Sequence, residues 1–118
     1  MTTDELKSAL HQLHTMLGKG QFLEAMEQFL HDDVVLLEAE APAKTGKKHV
    51  MEIEAKVLED VAEFGGYEVS SVGFGDDRTF YQAVMEYTQK DGTKVRVDQC
   101  VVDEWKDGKI VRERFYHA

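Results

Sequence analysis

The sequence predicts an α+β domain in which a curved antiparallel or mixed sheet packs helices against one face. Three observations predict it. Helical periodicity dominates the first third of the chain, strand-like alternation fills everything after residue 66, and the last stretch reads as a hairpin around Asp107-Gly108. Helices followed by consecutive strands favour segregated layers over alternating βαβ units.

The helices begin at Thr2, which with Glu5 three residues on forms a capping-box pattern. Leu6, Leu10, Leu13 and Leu17 then fall on one helical face, and Gly18 and Gly20 stop the helix. Phe22, Met26, Phe29 and Leu30 make the stripe of a second, shorter helix, ended by His31-Asp32-Asp33. Residues 34–41 alternate as a strand, with Val34, Leu36, Glu38 and Glu40 on one face, and Pro42 closes it. Thr45 is the expected cap of a third helix, striped by Val50, Ile53, Val57, Val61 and Phe64 and ended by Gly65-Gly66. Four strands follow at 67–74, 80–88, 94–105 and 109–117, with Asp76-Asp77 and Asp91-Gly92 marking turns. The expected order is therefore α-α-β-α-β-β-β-β.

A length of 118 residues fits one domain spanning 1–118. At that size roughly two-thirds of the unfolded surface can be buried, enough for a core without staples. The net charge of −9 argues against nucleic acid and against anionic membrane surfaces, both of which need Lys and Arg. Cys100 is the single cysteine, which fits a reducing cytoplasm and a small buried or interface residue better than a catalytic thiol. The N-terminal residues lack a basic segment followed by an apolar one, so no secretory leader is expected, and no apolar run approaches membrane-spanning length.

Three segments carry a family resemblance. They are Gly18-Lys19-Gly20-Gln21-Phe22 with the later run from Phe29 to Glu38, Thr45-Gly46-Lys47, and the run from Trp105 to Tyr116 around Asp107-Gly108. In order and spacing they resemble a SnoaL-like domain of the superfamily that includes nuclear transport factor 2, ketosteroid isomerases and scytalone dehydratase. The resemblance covers essentially the whole chain. It implies a curved sheet closed over three helices into a cone, an apolar pocket at the open end and a homodimer. It does not imply one reaction, because that superfamily hosts isomerases, dehydratases, cyclases and non-enzymes.

Within that resemblance Glu38 resembles the carboxylate base of the isomerases, which abstracts a proton beside a carbonyl. The isomerases' two oxyanion donors are missing, since the match places Leu13 at the helix-one tyrosine and Val101 at the aspartic acid. An oxyanion donor contributes about 3–4 kcal/mol to a transition state, so steroid isomerisation by that mechanism is not expected.

Alternation groups Val97, Gln99, Val101, Asp103 and Trp105 on one face of the penultimate strand, and Arg96, Asp98, Cys100, Val102 and Glu104 on the other. The match turns the first group, with Glu113, Phe115 and His117, toward the pocket. Arg112, Arg114 and Tyr116 then face outward, where Cys100, Val102 and Tyr116 form an expected homodimer face.

Glu38, Asp103 and Glu113 are thus the candidate catalytic residues. Leu13, His14, Phe29, Phe64, Val84, Val101, Trp105, Phe115 and His117 are the candidate ligand-binding ones. Converging carboxyls raise one another's pKa, which suits acid–base work. They equally suit a cation, or ion pairs with Arg78, Arg96, Arg112 or Arg114.

The reading that follows is a cofactor-free proton-transfer enzyme for a small carbonyl-bearing molecule. The competing readings are a non-catalytic small-molecule-binding or dimeric module, and a metal site built on His14, Glu38 and Glu113. His11 and His14 lie three apart on the first helix, which alone makes no zinc site. No resident metal or cofactor is expected.

Overall fold

The computed structural model describes residues 1–117. Its elements run α1 (Thr3–Gly18), α2 (Phe22–Phe29), β1 (Leu30–Glu38), β2 (Lys44–Thr45), α3 (Lys47–Glu59), β3 (Val61–Gly75), β4 (Arg78–Gln89), β5 (Lys94–Lys106) and β6 (Lys109–His117). The strands form one six-stranded sheet in the order β2-β1-β6-β5-β4-β3. All neighbours are antiparallel except β1 and β6, which run parallel, so the sheet is mixed. It curves around the helices without closing on itself: β2 and β3 are its two free edges.

Local chemistry explains the ends. The Thr2 hydroxyl accepts from the Glu5 backbone N–H at 3.1 Å, and the Glu5 carboxylate accepts from the Thr2 N–H at 2.8 Å, completing the capping box of α1. Asp107 (φ 54°) and Gly108 (φ 78°) both take left-handed backbone, as a two-residue hairpin turn between right-twisted strands requires.

One side of the sheet is dry. Leu6, Leu10 and Leu13 of α1, Ala25 and Phe29 of α2 and Val50 of α3 pack on Val34, Leu36, Tyr81, Ala83, Val101, Trp105 and Ile110. Trp105 anchors this layer. Its indole N–H donates to the buried Thr79 hydroxyl at 2.9 Å, and its ring meets Phe29 edge-on at 6.2 Å. Among the described residues no helix is long and apolar enough to cross a membrane.

Four expectations about element ends are corrected. The third helix stops at Glu59, so Val61 and Phe64 belong to β3 and not to a helical stripe. Their spacing fits either period, and pairing with β4 decides it: Val61 stands opposite Gln89 and Phe64 opposite Tyr87. Gly65 and Gly66 therefore sit in a strand irregularity. A Cβ on Gly65 would lie 3.1 Å from the Glu86 carbonyl oxygen, an approach only glycine permits without a shift. Thr45 lies in the short β2, and Gly46, at φ 89°, occupies the N-cap position of α3 without a side-chain cap. The first strand starts at Leu30, because His31, Asp32 and Asp33 continue it, and ends at Glu38 where Ala39 turns into left-handed backbone.

Candidate functional site

The inner face of the sheet carries a buried polar group inside an otherwise apolar layer. Register builds it. Thr79, Asp103, Glu113 and Leu36 form one row across β4, β5, β6 and β1, and Tyr81, Val101, Phe115 and Glu38 form the next. Because same-face residues on a strand are two apart, the rows are about 7 Å from each other. Asp103 is fully buried and Glu113 is 9% exposed.

Neither Asp103 oxygen meets an N–H or O–H donor among the described residues, and the group beside it is the Glu113 carboxyl. Two carboxyl groups can hydrogen-bond only through a proton. Burial, and then the Glu113 charge, push Asp103 well above the usual carboxylate range. Burial also raises Glu113, with the nearby Glu38 charge adding to the shift and the Asp103 hydrogen bond opposing it. Burial therefore favours the un-ionised form of both acids.

Two tyrosines complete the cluster. Tyr67 of β3 lies beside the Tyr81 hydroxyl and the Gln99 amide, and burial pushes its phenol up to about 12. Tyr81 is raised well above its ordinary value by burial and then by the Asp103 charge, so both hydroxyls stay protonated donors. The His14 imidazole packs edge-on against Tyr81 with ring centroids 4.4 Å apart. Its buried Nε2 has no partner among the described residues. Burial, then the charge of His11, lowers His14 to about 4, so it is neutral.

Glu38 lies at the outer end of this face. Its side chain is 41% exposed, and its Oε2 is 3.8 Å from Nε2 of the exposed His117. Glu54 on α3 adds a fourth carboxyl, raised by burial and then by the Glu38 charge.

The structure thus brings Glu38, Asp103 and Glu113 onto one face, in two adjacent rows. Leu13, Phe29, Val101 and Trp105 are buried core around them, and Phe115 is half-buried beside Glu38. One lining expectation is corrected. Val84 is on the opposite face, because Tyr81 and Ala83 point inward and alternation turns Val84 outward, beside Asp98. Phe64 packs on Phe22 at 5.5 Å and against Gly20, next to the α1–α2 junction.

The arginines expected as partners for Asp103 or Glu113 are on the convex face, where Arg78 and Arg112 pair with Glu104 and Arg96 pairs with Glu86. Among the described residues no three His, Cys, Asp or Glu side chains are arranged to hold a metal ion, so His14, Glu38 and Glu113 do not form one site.

Two surface concavities lie away from Asp103 and Glu113. One of about 660 Å³ runs between α2 and α3 past Leu23, Met51 and Lys47, and one of about 330 Å³ sits on the convex face among Arg78, Arg112, Arg114 and Tyr116.

Alternation already turned Gln99 toward the pocket, whereas Tyr67, Tyr81 and Glu54 were not among the sequence candidates for the site. Alternation along β4, which places Thr79, Tyr81 and Ala83 together, is the signal that finds Tyr81. Glu54 follows Val50 by four residues, which sets it on the buried stripe of α3.

Known proteins agree with this architecture. A candidate SnoaL-like polyketide cyclase, also described as a carbohydrate phosphatase, from Mesorhizobium loti superposes with a TM-score of 0.82 at 27% identity, covering 98% of this chain and 99% of that one. A candidate isomerase from Bacillus subtilis has a TM-score of 0.80 at 16% identity, over 100% of this chain and 90% of that one. TerC, co-crystallised with polyporic acid, has a TM-score of 0.79 at 18% identity, over 97% and 92%. No curated protein matches the chain. The family model for the SnoaL-like domain matches residues 10–113, and the chain belongs to that family.

Proposed function

We propose that this protein is a cofactor-independent proton-transfer enzyme acting on a small carbonyl-bearing organic molecule. The observation that carries the reading is the buried Asp103–Glu113 pair, shifted by burial toward the un-ionised form, set beside two protonated tyrosines and one row from Glu38. The isomerase-like donors absent at Leu13 and Val101 have chemical equivalents in this cluster: an un-ionised carboxyl and a buried phenol each donate a hydrogen bond in a low-dielectric site.

In this reading the Glu38 carboxylate takes a proton from the carbon next to the carbonyl, and its exposed side chain is within reach of a ligand. The carbonyl oxygen gains charge as the C–H bond breaks, and Asp103 and Tyr81 stabilise it by donation. Returning the proton to the same or another carbon gives exchange or isomerisation, and carbon–carbon bond formation by the enolate gives cyclisation. The family's cyclases and isomerases, and the candidate polyketide cyclase at 27% identity, support a carbonyl substrate of this kind.

The test is exchange of α-protons in D2O, followed by proton NMR, over a panel of cyclic ketones and β-keto esters. Saturable exchange above buffer is expected for at least one compound, falling about 10²-fold or more in Glu38→Gln. Exchange that is unchanged in Glu38→Gln would remove Glu38 from the base role.

A further inference from the structure

Three of the chain's four arginines meet at one concavity, although the chain as a whole carries a net charge of −9. Arg78, Arg112 and Arg114 line it with Val102, Glu104 and Tyr116, around about 330 Å³ on the convex face of the sheet. Register gathers them. Arg78 on β4, Glu104 on β5 and Arg112 on β6 stand in one row, and Phe80, Val102 and Arg114 stand in the next. Arg78 and Arg112 are two strand spacings apart, roughly 9–10 Å, while Arg112 and Arg114 are about 7 Å apart along β6. Alternation turns these residues away from Asp103 and Glu113, so the place is separate from the carboxyl cluster.

Glu104 accounts for two of the three arginines. Its carboxylate meets Nη2 of Arg78 at 2.9 Å and Nε of Arg112 at 3.5 Å. Arg114 forms no ion pair among the described residues. The concavity therefore holds three positive charges against one negative, with guanidinium N–H donors left over on every arginine. Pairing across the sheet explains Arg78 and Arg112 and leaves Arg114 without a reason. Apolar surface adjoins the charge: Val102 is in the floor, Phe80 is 38% exposed and Tyr116 is 53% exposed.

We propose that this concavity binds a phosphate monoester whose organic part is a small apolar or aromatic group. The two excess positive charges match the charge of such a monoester near neutral pH. Three guanidinium groups suit a group with three terminal oxygens, whereas a carboxylate offers two in one plane. Lysines would supply the charge without the planar fork, and none of the chain's ten lysines lines this concavity. The Tyr116 hydroxyl adds a donor, and its ring, with Phe80 and Val102, covers the organic part. The volume lies at the small end of the range for ligand pockets, which favours a single ring over a nucleotide.

The experiment titrates phenyl phosphate into the protein by isothermal calorimetry and maps the contact by heteronuclear NMR. Wild type is expected to bind one phenyl phosphate per chain, more tightly than inorganic phosphate, benzoate or benzyl alcohol, and less tightly as salt is added. Affinity should also fall below about pH 6, where the phosphate takes up its second proton. Arg112→Gln and Arg114→Gln are each expected to weaken binding about tenfold or more, with circular dichroism unchanged. Arg114→Lys should restore only part of the loss, because the ammonium keeps the charge and lacks the fork. Amide shifts are expected at Val102, Glu104 and Arg114, with none at Tyr67 or Tyr81. A wild type that binds no phenyl phosphate, binding that survives both glutamine substitutions, or shifts confined to the carboxyl cluster would each overturn the proposal. A second copy of the chain seated over Val102 and Tyr116, pairing these arginines with its own carboxylates and excluding phosphate, would overturn it too.

Discussion

Asp103 stands directly opposite Glu113 on the antiparallel pair β5–β6, and burial raises both carboxyls above their ordinary range. Proteins seldom bury two acids together without a cation, because the second ionisation must be made in low dielectric. The arrangement costs stability and shifts both acids toward the un-ionised form.

That cost sets a pH dependence. Asp103 has a folded pKa raised above its unfolded value of about 3.9. Its contribution to stability is then complete below about pH 4 and is lost as pH rises toward the folded pKa, because the unfolded chain releases the proton first. Melting temperature should fall from mildly acid toward alkaline pH in wild type. In Asp103→Asn that fall should flatten, since the amide cannot ionise. Thermal melts in matched ionic strength check this, and an equal slope in both proteins would refute it.

His14 works in the opposite direction. Its folded value of about 4 lies below the unfolded 6.5, so folding favours the neutral ring. That contribution is complete above about pH 6.5 and is lost as pH falls toward 4. His14→Phe should remove this acid limb. It should also relieve the partnerless Nε2 while keeping the edge contact to Tyr81, a gain of about 1 kcal/mol at neutral pH. Chemical denaturation at two pH values measures both effects.

Trp105 and Thr79 test the floor of the site. Thr79→Val leaves a buried indole N–H without an acceptor, and Trp105→Phe leaves a buried hydroxyl without its donor. Each should cost about 1–3 kcal/mol, the tryptophan change more because it also opens space beside Phe29. The double variant should cost less than the sum, because the second change removes a group already unpaired. Additivity within error in a denaturation cycle would show that the bond contributes little.

The parts of this fold legible in the sequence are those governed by short-range rules. The Asp107-Gly108 turn fixes the hairpin, and two-residue alternation counted from it places Asp103, Trp105 and Glu113 on one face and Cys100, Val102 and Tyr116 on the other. Val61 and Phe64 were not legible as strand, because helical spacing and strand composition overlap there and only pairing with Gln89 and Tyr87 decides between them. Tyr67 was hidden for a related reason. Its place beside Tyr81 depends on irregular register between β3 and β4, and no local pattern encodes which residue a bulge advances. Val84 faces outward because β4 alternates from Tyr81 and Ala83, which point inward, and its apolar type alone does not reveal that parity.

The chemistry of Asp103 separates two ways in which the cluster could act. If it donates to the carbonyl oxygen, the un-ionised form is the active one, and turnover should fall at alkaline pH as the proton leaves. Asp103→Asn keeps an N–H donor at every pH, so α-proton exchange should be retained at reduced rate while its alkaline limb disappears. Asp103→Leu removes the donor and should lower kcat by about 10²–10³. Glu38→Gln should lower the rate across the whole pH range and leave the position of the alkaline limb in place, because it alters the base and not the donor. A pH profile of kcat for the three variants distinguishes these outcomes. If Asp103→Leu retained full kcat, the buried pair would be structural, and the oxygen would have to be stabilised by Tyr67 or Tyr81.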